Sequence, residues 1–105
     1  MSHRILIVED EVRLREILCD YFRSKGENPV EACDGLQALS LIEEEEFDAV
    51  LLDIMMPGMD GLSLCRAVRR NNDIPIILVI IRNITYQSKS AHITAAVFRR
   101  MRKLN

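Results

Sequence analysis

Arg4-Ile-Leu-Ile-Val-Glu-Asp-Glu11 decides the fold of this 105-residue chain. Four aliphatic residues run without a polar break and then stop on three acids. A row of that kind has no polar face, so it reads as a strand buried on both sides. Ala49-Val-Leu-Leu-Asp53 repeats the pattern, and Ile74-Pro-Ile-Ile-Leu-Val-Ile-Ile81 is the most apolar stretch of all. Pro29-Val-Glu-Ala32 reads as a shorter strand at an edge, because Pro29 has no amide to give to a ladder.

Helical spacing fills the gaps between these rows. Leu14, Ile17, Leu18, Tyr21 and Phe22 recur at three and four residues, and Gly26 closes that helix as its C′ residue. Asp34 caps a second helix, with Leu36, Leu39 and Ile42 on its inner face. Glu43 to Glu46 is an acid run at the wrong end of that helix for its dipole, and it reads as a solvated end. Pro57, Gly58 and Gly61 mark a loop, after which Asp60 caps a third helix with Leu62, Cys65 and Val68 sharing one face. The order βαβαβαβ predicts an α/β protein: a doubly wound parallel sheet with helices on both faces.

Composition agrees with one small domain. An apolar share of 49% and a charged share of 29% exclude a disordered chain, a coiled coil and a collagen-like repeat. No apolar run is long enough to span a bilayer. The N-terminal residues lack the pattern of a signal peptide, so the expected location is cytoplasmic, away from membranes. Cys19, Cys33 and Cys65 are odd in number and far apart, which suits reduced, mostly buried thiols. His3 and His92 have no metal-like neighbours and read as surface residues.

Charge is unevenly spread. All sixteen acids lie between Glu9 and Asp73, whereas residues 83–105 hold five bases and no acid. That break divides the chain into a core over 1–82 and a divergent basic tail over 83–105. In the tail Ile93, Val97, Met101 and Leu104 share a helical face, and no strand signal follows. The expected sheet therefore has four strands. Four bases near the tail's end, without a base-reading element, do not make a nucleic-acid site.

In a doubly wound sheet the ligand site lies at the carboxyl ends of the strands, where strand order reverses. The first and third strands flank that point and end on Glu9, Asp10 and Asp53. Three carboxylates close together repel and raise each other's pKa values, and a hard divalent cation such as Mg²⁺ relieves this. With a cation bound, an ionised Asp53 can attack phosphorus.

The runs Ile5-Leu-Ile-Val-Glu-Asp-Glu11 and Leu51-Leu-Asp-Ile-Met-Met-Pro-Gly-Met-Asp-Gly61 resemble the receiver domain of bacterial two-component response regulators. The form of the first run is that of regulators with a winged-helix DNA-binding domain. The resemblance covers about residues 3–82. It implies a flavodoxin-like fold, with strand order 2-1-3-4 here and a fifth strand in the family. It makes Asp53 the phosphoryl acceptor, fed by a sensor histidine kinase. It gives Mg²⁺ to Asp10, Asp53 and the backbone carbonyl of Met55, with Glu9 acting through a water. It implies a signalling module controlling transcription, not an enzyme.

The departures from the family lie towards the end of the chain. Ile80 stands where the family has a Ser or Thr whose hydroxyl reads the phosphoryl oxygen. Lys103 matches the family's lysine by spacing alone, and no Lys-Pro pair or aromatic switch residue follows. Two expectations result. The chain is a receiver without its output domain, and the alternative is a degenerate receiver that acts as an interaction module or a non-functional truncated product. An open fourth strand further predicts a homodimer, through that strand or through the tail.

Overall fold

The computed structural model describes residues 2–53, 56, 61–70 and 72–79. Its elements follow the expected order: β1 (Arg4–Val8), α1 (Val12–Ser24), β2 (Asn28–Ala32), α2 (Gly35–Glu44), β3 (Ala49–Asp53), α3 (Gly61–Arg69) and β4 (Ile76–Val79). All pairings are parallel, and the strand order is β2-β1-β3-β4. The fold is the α/β flavodoxin-like receiver fold. Ile80, the expected tail helix, Lys103, the fifth-strand position and the tail as a dimer surface fall outside the described residues, as do Met55 and Asp60; β4, the other surface expected for a dimer, is the last strand at its edge of the described sheet.

The aliphatic rows of β1 and β3 are buried on both faces, whereas in β4 Ile77 is buried and Leu78 is 36% exposed; each residue's parity selects its face. From β1 and β3, Ile5, Ile7, Ala49 and Leu51 pack on Leu14, Leu18, Cys19 and Phe22 of α1. Leu6, Val8, Val50 and Leu52 point the other way, into a core with Ala38 and Ile42 of α2 and Leu64 and Val68 of α3. Each Val, Leu, Ile or Phe side chain among them contributes about 1.5–3 kcal/mol when fully removed from water.

Local signals terminate the helices as the residue types require. Glu11 caps α1, accepting from the amides of Arg13 (3.1 Å) and Leu14 (2.9 Å). At the other end Gly26 adopts φ +82°. Its amide reaches the Arg23 carbonyl (3.0 Å), and that of Glu27 reaches Phe22 (3.0 Å), which is a Schellman closure. Asp34 caps α2 by accepting from the Gln37 amide at 2.8 Å.

Two helix faces differ from expectation. Leu36 is 82% exposed and Leu62 52% exposed, while Ala38 and Leu64 are buried. At about 100° per residue, the spacing 36, 39, 42 drifts by roughly 60° at each step, so its first member leaves the buried stripe. The same drift moves Leu62 off the face that holds Val68. Leu39 and Cys65 are partly buried against the core.

Three further readings need correction. Cys33 is exposed, although all three cysteines are free as expected. His3 is half-buried, with Nδ1 2.6 Å from Oε2 of Glu27, because the chain entering β1 runs beside the turn that precedes β2. The acid run after Leu41 is only partly solvated. Arg4 pairs with Glu45, donates to the Glu46 carbonyl (3.1 Å) and lies over the Phe47 ring at 4.8 Å. The Arg4 amide also donates to Asp48 Oδ2 at 2.8 Å. These contacts gather at the amino end of the sheet, away from the acids that close β1 and β3.

Candidate functional site

Register assembles the site. Val8 is paired with Leu52 in the β1–β3 ladder, so the residue after each, Glu9 and Asp53, comes level at the carboxyl end. Both are buried, at 1% and 5% exposure, while Asp10 is exposed on the turn that leads into α1. Buried carboxyl groups are rare because removing a charge from water is costly. Two of them side by side at one sheet end need a physical cause.

Glu9 is fixed at three of its four polar atoms. Its amide donates to the Ala32 carbonyl at 3.1 Å, continuing the β1–β2 ladder by one step. Its own carbonyl accepts from Nη1 of Arg15 at 2.7 Å. Oε2 accepts from the Glu11 amide at 2.8 Å. Oε1 is buried with no hydrogen-bond donor among the described residues. Facing the carboxyl group instead are those of Asp53 and Asp10, which when ionised are acceptors like itself.

The electrostatic result is a carboxyl group that resists ionisation. Burial pushes Glu9 up to about 9, and the facing carboxyl of Asp53 adds to this; the amide of Glu11 opposes it, and Asp10 raises it further. Such a group requires either a proton or a cation. The donor set is all oxygen, which fits a hard divalent ion such as Mg²⁺. Among the described residues no group of three or more acidic, histidine or cysteine side chains is arranged to hold a metal ion. Of the expected ligands, Glu9, Asp10 and Asp53 gather at this end, while the Met55 carbonyl lies outside the described residues.

Three supporting residues were not anticipated. Glu11 caps α1 and also donates its amide to Glu9, so one turn serves both helix and site. Arg15 holds the Glu9 carbonyl, and Glu31 accepts from Nε of Arg15 at 2.9 Å. Glutamate is not among the residue types that usually cap a helix, so the residue type of Glu11 gave no sign of this role. The Glu31 contact depends on β2 lying beside β1, and the Glu9 contact on how α1 turns back over the end of β1; neither has a signal in residue type.

Comparison with known proteins gives a consistent picture. The model of the response regulator receiver domain family matches residues 5–103. The transcriptional regulatory protein BaeR of Escherichia coli is 49% identical over 76 residues, which are 72% of this chain and 32% of that protein. The DNA-binding response regulator MtrA of Mycobacterium tuberculosis is 40% identical over 79 residues, 75% of this chain and 35% of its own. The chain thus spans about a third of the length of these relatives. Among solved structures, the response regulator TrrA of Thermotoga maritima, in complex with Mg²⁺ and BeF, superposes with a TM-score of 0.75 at 26% identity, covering 100% of both chains. A structure of the histidine kinase ThkA with TrrA matches with a TM-score of 0.80 at 29% identity, over 99% of this chain and 98% of the other. No described helix is long and apolar enough to cross a membrane.

Proposed function

The chain belongs to the response regulator receiver domain family, and from that membership we propose that Asp53 is its phosphoryl acceptor. Receiver domains are phosphoacceptor modules of two-component signalling, and this domain is one of them. Asp53 supplies the nucleophile. One carboxylate oxygen attacks phosphorus on a phosphorylated histidine, the P–N bond breaks, and its electron pair leaves with the imidazole nitrogen. The acyl phosphate then remains on Asp53. The buried setting of Asp53, 5% exposed at the strand end, keeps the nucleophile fixed for in-line attack.

Glu9, Asp10 and Asp53 would hold Mg²⁺, Glu9 through a water, with the Met55 carbonyl completing the set. Bound there, Mg²⁺ neutralises charge on the phosphoryl oxygens during transfer. The observation that carries this reading is the donor-less Glu9 Oε1, buried in a carboxyl group that faces Asp53. The Mg²⁺ complex of the related TrrA supports it. The deciding experiment is incubation with Mg²⁺ and acetyl phosphate, followed by intact mass. One added phosphoryl group, absent from Asp53→Asn, is the expected result; a label that persists in Asp53→Asn excludes Asp53 as acceptor.

The proposed partner is a sensor histidine kinase, in line with the ThkA complex formed by TrrA. Control of transcription in the cytoplasm is proposed for the longer protein type, on the names of BaeR and MtrA. One sequence feature favours a weaker variant of the function. Ile80 offers no hydroxyl to the phosphoryl group, so transfer is proposed to be slow.

A further inference from the structure

Arg15 lies in the first turn of α1, and only 14% of its side chain is exposed. Its guanidinium spans two elements. Nη1 donates to the Glu9 carbonyl at 2.7 Å, and Nε donates to Oε1 of Glu31 on β2 at 2.9 Å. The guanidinium is a planar, rigid fork. Anchoring Nε on Glu31 therefore sets the direction in which Nη1 points. That direction meets the carbonyl oxygen of the Glu9–Asp10 peptide.

Building on the Mg²⁺ reading given above, we propose that Arg15 is a positioning residue for the metal site. By holding the Glu9 carbonyl it fixes the peptide from which both acidic side chains depart. Together with the Ala32 carbonyl and the Glu11 amide, it leaves Glu9 a single unpartnered atom, Oε1. Glu31 completes the device: its carboxylate orients the fork and balances its charge, so little net positive charge faces the incoming ion. Without Arg15 the Glu9–Asp10 peptide can rotate, and the carboxyl groups must be ordered at the moment of binding. Supporting groups of this kind change metal affinity by about 10–100-fold in other sites.

Coulomb repulsion and positioning predict opposite signs. A guanidinium acting on Mg²⁺ through charge alone repels it, and its removal tightens binding. A guanidinium acting through the Glu9 peptide weakens binding when removed. The test measures Mg²⁺ affinity by NMR titration of the full chain, in wild type, Arg15→Met and Arg15→Lys, with the metal-free melting temperature of each recorded. The expected result is about tenfold weaker Mg²⁺ binding in Arg15→Met, most of it recovered by the lysine that keeps a donor and a charge. Equal or tighter binding in Arg15→Met overturns the proposal, even if its metal-free melting temperature falls, because Arg15 then only staples α1 to β2. Should Arg15→Met not fold, Glu31→Ala replaces it: a several-fold weaker affinity supports the proposal, and an unchanged one overturns it. If the wild type itself shows no response to Mg²⁺, the metal reading of the site fails, and this proposal with it.

Discussion

Glu9 stands level with Asp53 because Val8 is registered on Leu52, one residue before each acid. The relation is made by the backbone ladder and not by any attraction between the side chains, which repel when both are ionised. The aliphatic rows supply the energy that holds these acids together. The same rows place Ile5, Leu6 and Ile7 at 0% exposure.

Metal binding is the first consequence to measure. At free Mg²⁺ one hundred times its dissociation constant, linkage adds about 2.7 kcal/mol to stability. For a domain of this size the melting temperature then rises by on the order of 10 °C. Asp10→Ala should remove the rise and Asp53→Asn should reduce it. Thermal melts in EDTA and in Mg²⁺ decide this, and no shift in the wild type excludes the site.

The second prediction concerns pH. Glu9 keeps its proton more tightly in the folded chain than in the unfolded one, because of burial and the facing Asp53. The folded state therefore binds the extra proton in the window from the ordinary 4.5 up to about 9. The Glu9 contribution is fully present below that window and is lost as pH rises through it. Metal-free Glu9→Gln should show a flatter stability profile than the wild type between these limits. Mg²⁺ binding should strengthen with pH over the same range, since the ion displaces that proton. Parallel profiles for the two proteins would contradict the buried setting of Glu9.

A third prediction concerns the hydroxyl that Ile80 lacks. Ile80→Thr should increase the yield or lifetime of the acyl phosphate formed from acetyl phosphate, read by intact mass over time. Ile80→Val, which changes shape without adding a hydroxyl, should not. Equal gains from both variants would assign the effect to packing.

The fourth prediction separates the two corrected helix faces. Leu64→Ala removes a buried side chain and should cost about 2–5 kcal/mol. Leu36→Gln changes an exposed one and should fall within about 0.5 kcal/mol of the wild type. Gly26→Ala meets no neighbouring atom within 4 Å, so its cost is conformational, arising from φ +82°. Roughly 1–2 kcal/mol is expected for a left-handed non-glycine residue. Urea melts rank all three.

The strands and their order were legible because fully buried parallel strands write themselves as unbroken aliphatic rows, and the acids after Val8 and Leu52 marked their ends. Gly26 and Asp34 were legible because each stands at the edge of a helical pattern with the residue type that its cap favours, Gly for a left-handed backbone and Asp for a side-chain acceptor. The inner faces of α2 and α3 were misjudged at Leu36 and Leu62. A leucine at three-residue spacing resembles the buried stripe until the helix is placed on its sheet. The acid run was misjudged because Arg4, its partner, lies some forty residues earlier in the chain. Arg15 was invisible for a related reason, since its contact with the Glu9 carbonyl depends on how α1 leaves β1, and its contact with Glu31 exists only once β2 lies beside β1.

The alternation of β1 between its two cores makes the strand behave like a reading frame. Deleting one residue among Ile5, Leu6, Ile7 and Val8 sends every later side chain to the wrong core, and Glu9 turns with them. Insertions and deletions within β1 therefore strike packing and chemistry in one event. Substitutions, by contrast, can alter one and spare the other. Along β1 an exchange of one apolar residue for another is therefore a smaller disturbance than any change in their number.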